Sequence, residues 1–367
     1  MPNAHITGWG MSVPDTVLTN DELAKRVDTS DKWIVEMTGI RERRIAKDRE
    51  YPSTLAVKAS IDALNVANLR PSDVDLIICA TSSPEYIFPA TACIIQDQLG
   101  ATRAGAFDLS AACTGFIYAL NMAAQSIRSG SIRNALVIGT ETLSRFVNWE
   151  DRKTCILFGD GAGAFVLQAS DAPGGVLSAV MHSDGSGADL LSLPGGGSRH
   201  PVSEQSLREG RQFIHMDGRE VFRFATRVMG RAAREALELA GLTTDDVQWI
   251  IPHQANLRII ETAAKYLKLP LERFIINVDR YGNTSTASIP IATVEAQQKG
   301  LLKNGDRIVL VGFGAGLTWG ALAAEWTGPL ALERPVHAER YRTWARLRSL
   351  LLRIMRFFEG LIWGRNS

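Results

Sequence analysis

Short apolar runs alternate with longer amphipathic segments along most of this chain. Runs rich in Val and Ile occupy 76–79, 135–139 and 308–312, whereas apolar residues recur at helical spacing over 114–129 and 219–240. A short continuous apolar run is typical of a strand buried on both faces, and the longer periodic segments are typical of helices packed on a sheet. The pattern therefore predicts an α/β fold.

Two pairs of segments repeat at one common offset. The sequence LRPSDVDLII at 69–78 resembles LTTDDVQWII at 242–251, and LVIG at 136–139 resembles VLVG at 309–312. The offset that carries position 69 to 242 also carries position 136 to 309. Similarity at a fixed offset indicates that a structural unit has been duplicated. We therefore predict two similar α/β halves.

The duplication divides the chain into two halves and a tail. The first half is expected to span 1–170 and to end at the turn-forming sequence SDAPGG (170–175), and the second half to span 171–327. Two such halves side by side form five alternating layers of helices and sheets, and a site on their axis draws residues from both. The polar, Gly-rich stretch 183–210 is expected to be surface loop, and 328–367 to be a separate element.

Composition and charge narrow the function. The chain has 367 residues, of which 46% are hydrophobic, and its net charge of +1 gives no overall field that attracts nucleic acid. Its four cysteines form no CxxC pair and are expected to be reduced, and its six histidines show no metal-ligand spacing. We expect no metal, no nucleic-acid partner and, because no signal peptide or apolar run of ~18 residues is present, a cytoplasmic protein.

A cysteine lies where a predicted strand meets a helix. In the sequence AFDLSAACTGFIYAL at 106–120, Cys113 falls at the expected N-terminal end of the helix. Backbone N–H groups and the positive end of a helix dipole lower the pKa of a thiol there, as a nucleophile requires. The alternative is that Cys113 is one more small buried residue, which is the usual fate of a lone cysteine.

Two further polar residues follow predicted strands in the second half. In VQWIIPHQANLRII (247–260), His253 comes directly after the strand and Asn256 is placed to cap the next helix; in RFIINVDRYGNTSTASIP (273–290), Asn283 precedes a Ser/Thr-rich helix start. Each has a structural alternative: His253 as a hydrogen-bonded structural residue, and Asn283 with its hydroxyl neighbours as a helix cap.

The glycine-rich segment GFGAGLTWG at 312–320 allows the backbone to approach a ligand or a neighbouring chain closely, so its amides could donate to an oxyanion. It matches neither a phosphate-binding loop nor a dinucleotide fingerprint. The sequence GDGAGA at 159–164 also fails as a dinucleotide site, because it leads into the strand-like FVLQ and not into a helix.

Taken together, these segments resemble the thiolase superfamily, and specifically the 3-oxoacyl-[acyl-carrier-protein] synthase III family. The most specific feature is the order Cys, His, Asn within SAACTGF, PHQAN and YGNTSTASIP. Further matching segments are TNDEL (19–23), SDKWIVEMTGIRERRIA (30–46), FPATAC (88–93), LFGDGAGAFVL (157–167) and GFGAGLTWG (312–320). The resemblance covers roughly 1–326 and implies a thiolase-like fold.

The resemblance also implies a reaction. Cys113 is expected to carry an acyl group, and His253 and Asn283 to hold the carbonyl of a malonyl-carrier thioester while carbon dioxide is lost. Backbone amides at Cys113, Gly314 and Ala315 are expected to form an oxyanion hole. The resulting prediction is decarboxylative condensation to a 3-oxoacyl thioester, with CoA or phosphopantetheine thioesters as substrates and no permanently bound cofactor.

Other residues receive binding roles from the same resemblance. The expected roles are Trp33 and Arg152 around the CoA adenine, Asn256 in the pantetheine tunnel, Arg223 and Arg258 toward the acidic carrier protein, and Phe88 at the acyl pocket across a homodimer interface. Without the family context, a solvated surface charge is the favoured interpretation of each arginine.

Two departures from the family pattern leave alternatives open. Met37 stands where a basic residue commonly assists CoA, so the acyl donor is either acyl-CoA or acyl-carrier protein, and an acyltransferase that forms an ester or amide without decarboxylation is the runner-up. A catalytically silent binding subunit is disfavoured, because all three triad positions hold competent residues.

The tail is the second departure, because the resembling enzymes end near Trp326. Within 340–363, apolar residues recur at helical spacing on one face and arginines on another: Trp344, Leu347, Leu351, Ile354, Phe358 and Leu361, against Arg342, Arg346, Arg353 and Arg356. Such a helix suits a membrane surface, or it docks on its own dimer or on a partner protein.

Overall fold

The computed structural model describes residues 1–329 and 335–362. Its first half contains seven strands and five α-helices. In chain order they are β1 (Asn3–Ser12), β2 (Val17–Thr19), α1 (Asn20–Ala24), α2 (Asp31–Thr38), β3 (Glu42–Arg44), α3 (Pro52–Ala67), β4 (Leu76–Ala80), α4 (Thr91–Leu99), β5 (Gly105–Leu109), α5 (Gly115–Arg128), β6 (Asn134–Glu141) and β7 (Gly161–Ser170).

The second half contains six strands and five α-helices, and a further helix forms the tail. In chain order they are β8 (Val176–Ser183), β9 (Leu191–Ser192), α6 (Glu204–Arg208), β10 (His215–Met216), α7 (Gly218–Leu239), β11 (Trp249–Pro252), α8 (Leu257–Leu267), α9 (Val278–Tyr281), α10 (Ser288–Gln298), β12 (Arg307–Gly314), β13 (Thr318–Glu325) and α11 (Ala338–Ile362).

Two sheets carry the predicted duplication. The first has the strand order β1-β7-β6-β4-β5 and the second the order β11-β12-β13-β8. Leu76 of β4 pairs in parallel with Ala135 of β6, and at the offset of the sequence repeat Trp249 of β11 pairs in parallel with Ile308 of β12. An isolated parallel bridge at Phe274 extends the second sheet beyond β11, as β5 extends the first. The repeat found in the sequence is therefore a repeat of strand register.

The helices and sheets form five layers. Helices α3 and α4 cover one face of the first sheet, α5 and α10 lie between the two sheets, and α7 and α8 cover the outer face of the second sheet. The strands β4, β6 and β12 are mostly apolar along their length because each is buried on two faces. This is the α/β arrangement expected of the thiolase-like fold.

The predicted division of the halves lies at the end of β7, and we propose 1–170 and 171–327 as the duplicated units. The stretch 183–210, expected to be surface loop, contains β9 and α6, and β9 pairs with β10 through Leu191 and Met216. The expectation was wrong for this part because a short apolar run within the polar stretch packs inward against the second half.

The tail forms one helix, α11, which packs on α3 and α4 of the same chain. Its predicted boundary residue Trp363 lies outside the described residues, as does the side chain of Leu361. Among the described helices, none is both long enough and apolar enough to cross a membrane.

Candidate active site

Cys113 lies in a 3-10 turn, Ala112–Thr114, that leads from β5 into α5. Ala112 adopts a left-handed conformation with φ of 46°, which is unusual for a residue with a side chain. The Thr114 hydroxyl fixes the turn by donating to Ala111 O at 2.6 Å, and it also contacts the Thr318 hydroxyl at 2.8 Å. Cys113 is thereby held, buried, between the two halves.

A matching turn, Ser285–Ala287, leads into α10 in the second half. Ser285 has φ of 48° and stands at the repeat offset from Ala112, so the left-handed residue is repeated together with the fold. The Thr286 hydroxyl occupies the position that corresponds to the Cys113 thiol. It lies 3.0 Å from Ala80 O and 3.1 Å from Glu141 Oε1, and is fully buried.

His253 follows β11 directly and is almost fully buried. Its backbone N–H donates to Val311 O at 2.8 Å, and its Nδ1 lies 2.7 Å from the Ser288 hydroxyl at the start of α10. Its Nε2 is buried and has no hydrogen-bond partner within 1–329 and 335–362. Burial lowers the pKa of His253 to about 3, so the ring is neutral at physiological pH.

The neutral ring can adopt either tautomer. A serine hydroxyl both donates and accepts, so the single contact from Ser288 to Nδ1 is compatible with a proton on either ring nitrogen. When Ser288 donates to Nδ1, the ring proton is on Nε2, which then becomes a buried donor without an acceptor in the part of the chain that the structure describes. A group in that state is poised to bind a substrate carbonyl oxygen.

Asn283 is buried and its carboxamide is oriented by the chain. Its Oδ1 accepts a hydrogen bond from Ser285 N at 2.8 Å, which leaves its NH₂ group as the donor that the side chain can offer a ligand. Helix α10 begins only at Ser288, and its N-cap residue makes no side-chain cap. Asn283 therefore caps the turn that continues directly into α10, so the structural role that the sequence left open is present, and the same bond orients its NH₂ group.

The end of β12 approaches the Cys113 turn closely. A Cβ atom added to Gly314 would lie 2.6 Å from Cys113 N, and one added to Gly312 would lie 3.6 Å from Cys113 O and 3.4 Å from the His253 Cβ. Only a glycine at position 314 leaves this approach open. The glycines predicted to permit a close backbone approach thus bring the strand against the candidate nucleophile, next to His253.

The electrostatics of Cys113 differ from the expectation. Burial raises the pKa of the Cys113 thiol to about 12, and a hydrogen bond with the Ser285 side chain offsets part of that rise. A lowered pKa was expected from the helix N-terminus, and that direction was wrong. The loss of hydration on burial is the largest cause of the rise, and the hydrogen bonds from Ser285 and the Cys113 backbone oppose it.

A narrow cavity of about 90 Å³ opens beside Cys113. Ala315 and Ser285 line it close to the thiol, and the remaining walls are mostly apolar. The apolar lining residues are Leu143, Phe146, Phe158, Leu191, Leu193 and Ile214. Four of these residues, Phe158, Leu191, Leu193 and Ile214, are distant from the Cys113 turn in sequence. Separate segments of the chain therefore form one apolar cavity beside the Cys113 thiol.

Trp33 and Arg152 contact each other. The Arg152 guanidinium lies over the Trp33 ring, 5.4 Å from its centroid, and donates to Asp28 O at 2.9 Å. The two residues expected to flank the adenine therefore lie next to each other at the surface.

Asn256 and Arg258 lie at the start of α8 and converge on Met37. Asn256 Oδ1 accepts from Arg258 N at 2.9 Å, which is the predicted helix cap, and its Nδ2 donates to Met37 O at 3.0 Å. The Arg258 guanidinium lies over the Phe222 ring at 5.3 Å. Arg223 is exposed and paired with Glu220 at 2.8 Å. These residues share one surface near the N-terminal ends of α7 and α8.

Phe88 does not reach the cavity of its own chain. It is 84% exposed, and its neighbours Tyr86 and Ile87 are exposed as well. Three consecutive large apolar side chains in solvent indicate a surface that is covered in an assembly.

Two residues that shape this site were not singled out in the sequence. Ser288, which contacts His253, lies in the Ser/Thr-rich stretch for which helix capping is the structural alternative. Glu141 is a fully buried carboxylate that accepts from Ser82 N at 3.0 Å and from the Ser83 hydroxyl at 2.5 Å. A usable signal was present for Glu141, because a carboxylate that ends the apolar run NALVIGTE is costly to bury unless it is bonded.

Comparison with known proteins agrees with the geometry. Residues 107–185 match the family model for 3-oxoacyl-[acyl-carrier-protein] synthase III, and residues 237–326 match the model for its C-terminal part. The chain is 52% identical over 324 residues to the beta-ketoacyl-[acyl-carrier-protein] synthase III of Roseiflexus sp. (strain RS-1), covering 88% of this chain and 98% of that protein. It is 54% identical over 321 residues to the protein of the same name from Symbiobacterium thermophilum, covering 88% and 97%.

Solved structures give the same result. The 3-oxoacyl-[acyl-carrier-protein] synthase III of Aquifex aeolicus is 48% identical, with a TM-score of 0.81 over 88% of this chain and 99% of that one. The priming β-ketosynthase of the R1128 polyketide pathway is 37% identical, with a TM-score of 0.83 over 90% and 98%.

Proposed function

This chain belongs to the 3-oxoacyl-[acyl-carrier-protein] synthase III family, and we propose that it joins an acyl group held on Cys113 to malonyl-carrier protein with loss of carbon dioxide. The observation that carries the assignment of roles is the neutral, buried His253: its Cβ lies beside Gly312 of the strand that packs on the Cys113 turn, and its Nε2 has no hydrogen-bond partner among the described residues. Both features suit a donor to a developing oxyanion.

The first step transfers an acyl group to sulfur. The Cys113 sulfur attacks the carbonyl of an acyl thioester, the bond to the donor thiol breaks, and the thiol proton leaves with that donor. The backbone amides at Cys113, Gly314 and Ala315 stabilise the oxyanion of this step. The apolar cavity beside Cys113 takes the acyl chain.

The second step forms the new carbon–carbon bond. Malonyl thioester loses carbon dioxide, and the electron pair of the broken bond becomes an enolate whose oxygen accepts from His253 Nε2–H and from the Asn283 NH₂ group. The enolate carbon attacks the acyl carbonyl on Cys113. The sulfur then leaves and takes up a proton, which yields the 3-oxoacyl thioester and the free thiol.

The substrates are proposed to be CoA or phosphopantetheine thioesters, without a bound cofactor. The pair Trp33 and Arg152 opens to hold the adenine, Asn256 contacts pantetheine, and Arg223 and Arg258 attract the acidic carrier protein. In support, each of these five residues is at least partly exposed, and the guanidinium of Arg152 already stacks on an aromatic ring as it would on a base.

The protein is proposed to act as a homodimer. Strand β5 lies at the edge of the first sheet with Phe107 exposed, and the exposed residues Tyr86, Ile87 and Phe88 precede α4, which packs on the same sheet. A second copy that covers this edge would place its Phe88 at the acyl pocket. Sedimentation velocity should show a dimer that Phe88→Ser weakens, whereas Leu239→Ser, also at an exposed apolar residue, leaves it intact.

One experiment distinguishes condensation from acyl transfer without decarboxylation. The enzyme is incubated with an acyl-CoA and malonyl-carrier protein labelled in the free carboxyl group. We expect one labelled carbon dioxide for each 3-oxoacyl product. Release of an acyl ester or amide with no labelled carbon dioxide would overturn the proposal and favour the acyltransferase, for which the departure at Met37 is the motivating observation.

A further inference from the structure

Helix α11 lies beyond the family model, which ends at residue 326. The condensing chemistry of the relatives therefore gives no account of this helix, and its role has to be argued from its own contacts.

The helix docks on its own chain through small and polar residues. Ala338 N donates to Asn65 Oδ1 at 2.7 Å, and the Ser349 hydroxyl donates to Asp97 Oδ2 at 2.8 Å. Ala345 is buried against Gly100, and a Cβ atom added to Gly100 would lie 2.9 Å from the Ala345 Cβ. Residues 338, 345 and 349 recur at helical spacing, so they define the face of α11 that is turned to the protein.

The opposite face is apolar and exposed. Trp344 is 71% exposed and Phe358 is 55% exposed, and neighbouring positions on this face are exposed as well. The members of this apolar face are Trp344, Leu347, Leu350, Leu351, Ile354, Met355, Phe357 and Phe358. They span an arc of roughly 160° at 3.6 residues per turn. In a surface helix the apolar residues normally face the protein core, whereas in α11 they face solvent.

Arginines flank the apolar face. Within 338–359 the helix carries six arginines and two glutamates. Arg346 and Arg353 lie along one border of the apolar face, and Arg348 lies along the other, all exposed. The surface that α11 presents is therefore bulky and apolar at its centre and positive at its edges.

We propose that the apolar face of α11 binds an anionic lipid surface. Bulky side chains would enter the boundary between headgroups and acyl chains, and the flanking arginines would contact the negative headgroups. Pairing of this face with α11 of a second copy would bring arginine borders together with few glutamates to offset them. The charge thus favours a negative partner over a second copy.

Co-sedimentation of the full chain with vesicles tests the proposal. We expect binding to vesicles of phosphatidylcholine and phosphatidylglycerol at 3:1, and much weaker binding to phosphatidylcholine alone. The triple variant Trp344→Ser, Leu351→Ser, Phe358→Ser should lower the partition coefficient by at least about 100-fold, because three large apolar side chains leave the interface. Arg346→Gln with Arg353→Gln should lower it by about 20-fold on the anionic vesicles only.

The matched control is Leu239→Ser, which removes an exposed apolar side chain at the end of α7 and should leave vesicle binding unchanged. Condensation of soluble substrates should be unchanged in the triple variant, which shows that it is folded. Three results would overturn the proposal: equal binding to both vesicle types, undiminished binding of the triple variant, and absence of vesicle binding by the wild type. In that last case, self-association or partner capture abolished by the triple variant would assign the face to a protein.

Discussion

The two halves of this molecule use one backbone arrangement for two purposes. Each half leads from a 3-10 turn with a left-handed residue, Ala112 or Ser285, into a helix that lies between the sheets. In the first half the next residue is Cys113, beside an apolar cavity. In the second half it is Thr286, whose hydroxyl is engaged by Ala80 O and Glu141.

The ends of the corresponding strands differ in the same way. Ala80 ends β4, and at the equivalent position of the second half His253 directly follows β11. The first half therefore supplies the proposed nucleophile and a plain strand end, whereas the second supplies the imidazole and a turn whose hydroxyl is hydrogen-bonded within the protein. After a duplication, both halves can keep the same backbone geometry while a few side chains change. Different chemical groups, here a thiol and an imidazole, then stand at the ends of corresponding elements where the two halves meet.

The largest effect is expected at the nucleophile of the first half. Cys113→Ala should lower condensation by roughly 10³-fold or more, because no acyl-enzyme can form. Intact-protein mass spectrometry after incubation with acyl-CoA should show no added acyl mass. Cys93→Ala, at an exposed cysteine, is the control and should still gain the acyl mass. An acyl mass retained by Cys113→Ala would contradict the assignment.

The next effect is expected at the donors of the second half. His253→Ala and Asn283→Ala should each lower condensation by about 10²-fold to 10³-fold, since each removes one donor to the enolate oxygen. Acyl transfer to Cys113 should persist in both, as read by protein mass. If the acyl mass disappeared together with condensation, these residues would belong to the first step and the separation between the halves would fail.

Protonation of His253 sharpens the comparison, because it is specific to the second half. Its pKa is lowered from 6.5 to about 3 by burial, so between these values the unfolded chain binds a proton that the folded protein does not. The His253 contribution to the free energy of unfolding is full above pH 6.5 and should fall by roughly 2 kcal/mol by pH 5. Urea unfolding of wild type and His253→Ala at both pH values should show a smaller pH dependence in the variant; equal dependences would contradict the burial.

The smallest effect is expected at the structural turn. Thr286→Val should lower the free energy of unfolding by about 1–2 kcal/mol, because Ala80 O and buried Glu141 lose a donor. Cys113→Ser should change that free energy by less than about 1 kcal/mol while abolishing acyl capture. Thr262→Val, near the surface of α8, serves as the control in urea unfolding. Equal stability of Thr286→Val and wild type would remove the distinction between the two turns.

The sequence was sufficient for the parts of the fold that repeat and for the three motifs. Two short matches at one offset predicted two similar halves, and the structure shows that the pairing of β4 with β6 recurs at that offset as the pairing of β11 with β12. The order of Cys113, His253 and Asn283 predicts a shared site; the structure buries all three residues and brings Gly312, next to His253, against the Cys113 turn, and the shared site stays a prediction.

Properties that depend on burial could not be predicted from the spacing of residues along the sequence. The sequence places Cys113 at the start of a helix and so indicates the direction of the helix dipole there. The pKa of Cys113 is shifted mainly by desolvation, which depends on packing between segments that are distant in sequence. The hydroxyl of Ser288 reaches His253 from a separate segment, and α11 docks through Ala345 because Gly100 leaves room for it. Each of these contacts joins residues that are distant in sequence.

The most direct test of the central claim is decarboxylation without the nucleophile. If the second half alone stabilises the enolate, Cys113→Ala should still release labelled carbon dioxide from malonyl-carrier protein, within about tenfold of the wild-type rate. Adding His253→Ala should lower that release by roughly 10²-fold. Loss of carbon dioxide release in Cys113→Ala alone, or equal release by the single and double variants, would contradict the account.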